Sequence, residues 1–212
     1  MSVISLNDTS KRFKGNTIFE KVSFDIDEGR TYAIVGPNGS GKSVLLKLSC
    51  GLLTPNTGTV RVNPKYLSGR RTFPDRFGIS INGPAYLANR TAEQNLMQLA
   101  AIRNLIGLTD VRRVLDRVGL APSPRQKVSS FSMGMKQKLA LAQAFMEDPE
   151  VLLLDEPFNG LDKESVARIK AIIGDLNVLG KTILFTSHSA QDVADISDHV
   201  LEIKESTVRF AS

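Results

Sequence analysis

Residues 31–50 read TYAIV, GPNGSGKS, VLLKLSC, and this succession leaves the chain little choice of local structure. A short, mostly apolar run that leads straight into glycine reads as a buried strand. The run after it has the spacing of a helix. Between them, the glycines let the backbone curl closely around a ligand with its N–H groups pointing inward. The eight-residue segment matches the pattern G-x-x-x-x-G-K-[ST], in which backbone amides cradle phosphate. The following helix adds the positive end of its dipole. A glycine-rich strand-to-helix turn without a ligand would share the glycines, but not the adjacent lysine and hydroxyl. Gly36, Pro37, Asn38, Gly39, Ser40, Gly41, Lys42, Ser43 and Val44 are therefore candidate nucleotide-binding residues. Lys42 can reach the β- and γ-phosphates, and Ser43 can offer its hydroxyl to Mg²⁺.

Other strands have the same character. Val3 to Leu6 and Val22 to Ile26 show apolar alternation, and Val151 to Leu154 and Thr182 to Phe185 are apolar. Helical patterns lie between them, which predicts an α/β fold with a mainly parallel sheet. Residues from about 87 to 147 read instead as a helical insert. Thr91 and Gln94 form a capping box, Thr109 is a candidate cap for a second helix that Gly119 ends, and Pro122 and Pro124 mark a linker. The chain of 212 residues is long enough to bury a large core without staples. Its single cysteine, Cys50, reads as a small buried side chain and predicts a reducing compartment. The net charge of +5 comes without a block of like charge, and Arg70-Arg71 and Arg112-Arg113 are the densest pairs. No nucleic-acid arm is expected from that distribution. The N-terminus has no apolar signal core, and no apolar run is long enough to cross a bilayer.

Two further stretches carry acid–base chemistry. VLLLDEP places Asp155 and Glu156 at the C-terminal end of an apolar strand, where open α/β sheets bind ligands. Asp155 suits Mg²⁺ directly or through water, and Glu156 can face an attacking water. A helix cap or a solvated turn also uses such acids, but a phosphate cradle on the same chain favours the site. His188 follows the strand TILFTS and can reach the same place. His199 has no phosphate motif around it and reads as structural.

The stretch FSMGMKQK, residues 131–138, taken alone is an amphipathic helix. Its position changes that reading. The cradle, FSMGMKQK, VLLLDEP, NGLD (159–162) and TSH (186–188) follow one another in the order and spacing of ATP-binding-cassette (ABC) ATPases. The chain resembles the ATPase subunits of ABC transporters over nearly its whole length, and is similar to bacterial drug, bacteriocin and lantibiotic exporter subunits. The resemblance implies a P-loop NTPase core with a mainly parallel sheet, an antiparallel β extension near the N-terminus and a helical insert subdomain. The core would span about 1–86 and 148–212, and the insert about 87–147, within one domain.

The resemblance also implies roles. Two copies would close head to tail around two ATP molecules, as a homodimer or heterodimer. Ser132, Met133, Gly134, Met135 and Asp162 of one copy would then meet the nucleotide of the other. Phe13 would stack on adenine, and His188 would hold the γ-phosphate and water with Glu156. Lys42, Glu156 and His188 would be the catalytic group, and Ser43, Asp155 and Asn82 would attend Mg²⁺. Three departures stand out. Met133 and Met135 replace the usual glycine and glutamine of the signature segment, Asn82 falls where a glutamine or glutamate is usual, and Val44 stands where many such loops carry a second threonine. The implied function is ATP hydrolysis driving transmembrane permease subunits, with export favoured by the signature variant and by the short chain, which leaves no room for a C-terminal regulatory domain. The protein would be cytoplasmic, held at the inner face of the cell membrane by those partners. The alternative is a soluble ABC-type ATPase acting on DNA or ribosomes. DNA-repair relatives carry long coiled coils between cradle and signature, whereas about 90 residues separate them here.

Overall fold

The computed structural model describes residues 1–67, 73–83, 86–120 and 125–211. Arg70-Arg71, the Pro122 and Pro124 linker, and Pro84-Ala85 lie outside the described residues. In chain order the strands are β1 (Ser2–Phe13), β2 (Asn16–Asp27), β3 (Thr31–Val35), β4 (Thr57–Val62), β5 (Phe77–Ser80), β6 (Val151–Leu154), β7 (Thr182–Thr186), β8 (His199–Lys204) and β9 (Thr207–Phe210). The helices are α1 (Lys42–Ser49), α2 (Ala92–Arg103), α3 (Leu108–Arg117), α4 (Met133–Phe145), α5 (Lys163–Val178) and α6 (Ala190–Ile196).

The larger sheet has the order β5-β6-β7-β3-β8-β9 and is parallel except for β9. Strands β6 and β7 are buried at every position because helices and a second sheet cover both faces, which is why they read as continuous apolar runs. That second sheet, β2-β1-β4, is antiparallel and forms the N-terminal extension. The apolar alternation detected at Val3 to Leu6 and Val22 to Ile26 lies inside much longer strands, whose polar and irregular outer halves carry no period-two signal.

Period-two side-chain placement sorts the core into two layers. Tyr32, Ile34, Leu153 and Leu184 join Ile4, Leu6 and Ile26 of the small sheet and Leu45, Leu46 and Leu48 of α1. Ala33, Leu152, Leu154, Ile183 and Phe185 point the other way, into α2, α3, α4 and α5. Each fully buried leucine contributes about 2 kcal/mol relative to exposure. Cys50 caps α1 and is fully buried, and burial pushes its thiol pKa up, which makes it an unreactive packing group.

The capping box at α2 is formed as expected: Thr91 Oγ1 accepts from Gln94 N–H at 3.2 Å, and Gln94 Oε1 accepts from Thr91 N–H at 3.1 Å. For α3 the expectation fails at its start. The helix begins at Leu108, so Thr109 lies inside it, and Gly107 is the cap residue. Asp110 wins because its carboxylate reaches back to accept from Gly107 N–H at 3.1 Å, closing the first turn two residues earlier than a cap at Thr109 would allow. Gly119 does end the helix, with φ +69°. The Arg112-Arg113 pair is no free basic patch: Arg112 meets Glu93 at 2.6 Å and Arg113 meets Asp110 at 3.0 Å.

Candidate active site

Three adjacent strands, β3, β7 and β6, end on the same edge of the sheet. Their C-terminal ends deliver the glycine-rich loop, Ser187 and His188, and Asp155 and Glu156 to one cleft of about 730 Å³. That volume is in the range of small-molecule sites. Of the predicted residues, Asn38, Gly39, Gly41, Lys42, Ser43, Val44, Asp155, Glu156 and His188 line it. Gly36, Pro37 and Ser40 belong to the same loop but do not line the cleft.

The loop is bridged by its own lysine. Lys42 Nζ donates to the carbonyls of Gly36 at 2.9 Å and Pro37 at 3.2 Å, so the buried ammonium sits across the loop that would enclose a phosphate. The Ser40 hydroxyl is buried there without a partner. Glycine is required at position 41: φ is +105°, and a Cβ would come within 2.5 Å of Ile18 Cγ2 and 2.9 Å of Phe19 Cζ. The small sheet therefore presses against the back of the cradle. Ile18 of β2 also lines the cleft, as do Phe158, Asn159, Ser187, Ser189 and Asp192. Asn159 and Ser187 fall inside the NGLD and TSH motifs, but Ile18, Phe158, Ser189 and Asp192 were not singled out from sequence, because their only signal is position relative to strands distant in the chain.

The carboxylates are arranged by one hydroxyl. Thr186 Oγ1 donates to Asp155 Oδ1 at 2.8 Å and accepts from Glu156 N–H at 2.7 Å. Glu156 has φ +49°, although the proline after it favours extended backbone at this position. Left-handed backbone in a residue with a Cβ costs about 1–2 kcal/mol, so the surroundings must hold it. Glu156 Oε1 is 2.8 Å from His188 Nε2, near enough for an ion pair, yet that buried oxygen has no aligned hydrogen-bond donor. Burial raises the Glu156 pKa above the usual carboxylate value, the neighbouring Asp155 adds to this, and His188 and Lys42 oppose it. A carboxylate of raised pKa in a cleft beside a lysine and a histidine has the character of a general base.

The signature segment opens α4. Ser132 is its cap, with Oγ accepting from Met135 N–H at 3.2 Å, and the first helical N–H groups remain open to a ligand. Gly134 lies so near the loop after β6 that a Cβ would stand 2.8 Å from Gly160 O. Gly160 is equally tight, since its own Cβ would meet Met133 Cγ at 2.9 Å. The methionine that replaces the usual glycine thus packs on a glycine of NGLD. Asp162 caps α5, and the hydrogen bond from Ser165 N–H at 2.8 Å lowers its pKa. Ser132, Met133, Gly134, Met135 and Asp162 do not line this chain's own cleft. Neither do Phe13 and Asn82. Phe13 ends β1 half-exposed with Lys11 Nζ 4.9 Å from its ring centroid, and Asn82 is exposed with φ +61° just beyond β5.

A parallel sheet with a phosphate cradle, an Asp-Glu strand end and a histidine on neighbouring strands defines a P-loop ATPase. Comparison with known proteins narrows this. Residues 19–159 match the family model described as ABC transporter. The chain is 35% identical to the uncharacterized ABC transporter ATP-binding protein YybJ of Bacillus subtilis, over 95% of this chain and 92% of that one. It is 34% identical to the bacitracin transport ATP-binding protein BcrA of Enterococcus faecalis, over 92% of this chain and 64% of BcrA. To the lantibiotic transport ATP-binding protein SrtF of Streptococcus pyogenes it is 30% identical, over 97% and 89%. The fold matches the ATP-binding cassette MJ0796, solved as a post-hydrolysis dimer with ADP and Pi, with TM-score 0.86 at 24% identity, covering 99% of this chain and 98% of that one. The chain belongs to the ABC transporter ATPase family.

Proposed function

We propose that this chain is the ATP-hydrolysing subunit of a bacterial ABC exporter, working as a dimer around two ATP molecules to drive transmembrane permease partners. The observation that carries this reading is the convergence of Lys42, Asp155, Glu156 and His188 on one cleft. The transport of bacitracin and lantibiotic named for BcrA and SrtF supports export of an antibiotic-like or peptide cargo. Among the described residues no helix is long and apolar enough to cross a membrane, so the partners would supply the pathway. The chain would then sit on the cytoplasmic face of the membrane.

Within the cleft, Lys42 would exchange its loop carbonyls for β- and γ-phosphate oxygens. The unpartnered Ser40 hydroxyl fits an additional acceptor brought by the nucleotide. Among the described residues no cluster of three or more acidic, histidine or cysteine side chains could hold a metal by itself. The Ser43 hydroxyl and the Asp155 carboxylate, both in the cleft, would hold Mg²⁺ beside the phosphates, and Asn82, outside the cleft lining, would attend it only through water. When bound, Mg²⁺ supplies neutralisation of the negative charge that develops on the phosphates. Glu156 takes a proton from the attacking water as that oxygen bonds to the γ-phosphorus and the β–γ bridging bond breaks. His188 orients the γ-phosphate and the water. Phe13 would stack on adenine, and Ser132, Met133, Gly134, Met135 and Asp162 would complete the partner's site. Catalysis is positioning plus charge stabilisation. The same reading divides the chain into a core of about 1–86 and 148–212 and a helical insert of about 87–147.

Two measurements test this. Glu156→Gln should keep ATP binding and slow turnover roughly 10²- to 10⁴-fold; near-parental turnover would remove Glu156 from the mechanism. Purification from native membranes should bring an integral membrane partner with the chain. Bound ribosomes or DNA in place of that partner would favour the soluble alternative.

A further inference from the structure

We infer that Gln137 and Thr186 are positioning residues that clamp the backbone of Glu156 from both sides and fix its carboxylate for the attacking water. The inference rests on the reading of Glu156 as the group that activates water. Glu156 is the residue of the VLLLDEP segment that takes a left-handed backbone, at φ +49° and directly before Pro157. Its carbonyl accepts Asn159 N–H at 3.1 Å in the turn that follows, and two other elements add ties from outside that turn. From β7, the buried Thr186 hydroxyl accepts the Glu156 N–H at 2.7 Å while donating to Asp155 Oδ1 at 2.8 Å. From α4, Gln137 Nε2 donates to the carbonyls of Glu156 and Pro157, both at 3.2 Å. The N–H and C=O of one strained residue are thus each tied to a different element.

The two ties differ in what they report. Thr186 couples Glu156 to Asp155, so the base and the metal-side carboxylate move together. Gln137 couples Glu156 to the helix whose first residues, from Ser132, are offered to the other copy's nucleotide. Five residues separate Ser132 from Gln137, about 7.5 Å of helix rise. A shift of the helix head on meeting the opposing nucleotide therefore reaches the backbone of this chain's own base through one side chain. Gln137 lies outside the cleft lining, as does Thr186, so neither touches substrate.

The test uses the full chain with MgATP, measuring turnover, KM and ATP affinity by calorimetry. Thr186→Val and Gln137→Met remove the polar contacts at nearly constant volume. Displacement of a catalytic group by a fraction of an ångström to one ångström costs up to about 10²-fold. Each variant should lose roughly 10- to 100-fold in kcat with KM and ATP affinity within about 3-fold of the parent. Thr186→Ser, which keeps the hydroxyl, should restore most of the rate. In a Glu156→Gln background neither change should slow single-turnover hydrolysis further, because there is no base left to position.

Parental kcat in Thr186→Val and Gln137→Met, beside a disabled Glu156→Gln, would overturn the clamp alone. So would a loss carried by KM, or an equal further loss in the Glu156→Gln background, either of which marks a general structural role. Parental turnover by Glu156→Gln itself would instead overturn the base assignment on which the clamp depends. If the buried Thr186→Val does not fold, Gln137→Met, on a partly exposed position, still decides the matter.

Discussion

Replacing Gly134 by alanine adds one methyl group at the second residue of α4. The φ of Gly134 is not in the left-handed region, so the backbone itself accepts a side chain. In an open helix this change would stabilise, since alanine outperforms glycine by up to about 1 kcal/mol. Here the new Cβ would stand 2.8 Å from the Gly160 carbonyl oxygen, against about 3.4 Å for ordinary contact. One side must yield by about 0.6 Å, and both sides are backbone. Overpacking of this kind costs about 1–3 kcal/mol. The net expectation is a loss of about 1 kcal/mol, or a fall of about 2–4 °C in Tm for a chain of this size. Gly174 supplies the control. It lies inside α5 with nothing within 4 Å of its Cβ position, so Gly174→Ala should raise Tm by a similar amount. Thermal unfolding of the nucleotide-free protein reads both variants, which separates packing from any contact with ATP. A Gly134→Ala variant as stable as Gly174→Ala would refute the close approach of α4 to the NGLD loop.

Other expectations follow from the cleft. Lys42→Ala should lose nucleotide affinity itself, and unchanged ATP binding by calorimetry would rule out the cradle. Met135→Gln restores the usual signature residue; at equal dimer concentration its ATPase rate should exceed the parent's if Met135 weakens the contact in trans, and an equal rate would show that it does not. The raised pKa of Glu156 gives a pH signature. The folded state holds this proton more tightly than the unfolded state, so stability falls as pH rises from the unfolded value through the folded one, and the penalty is complete above it. Glu156→Gln should therefore be more stable than the parent near neutral pH, with the gap closing in acid below the ordinary carboxylate range. Denaturant melts across pH would show this, and a gap independent of pH would contradict it.

Much of the site was legible in the amino-acid order because its parts are local. The cradle announces itself through glycine spacing and an adjacent lysine and serine. Strands β3, β6 and β7 announce themselves through apolar runs, which buried parallel strands must have. The Thr91–Gln94 box closes within four residues. The start of α3 was misplaced because Thr109 and Asp110 are both competent there, and only the geometry of the turn chooses between them.

The sequence by itself determined the chemistry available: a phosphate-binding turn, two acids at a strand end, a histidine after another. The tertiary structure decided that β7 lies between β3 and β6, and so brought Gly36 to Ser43, Asp155 and Glu156, and His188 to one edge. It also placed Ile18 behind Gly41, Gly134 against Gly160, and Gln137 and Thr186 on the backbone of Glu156. These contacts join residues far apart in the chain, and local propensity and periodicity carry no record of which distant strand or helix will lie beside which. Only the packing of the whole sheet, with its helices seated on both faces, settles that.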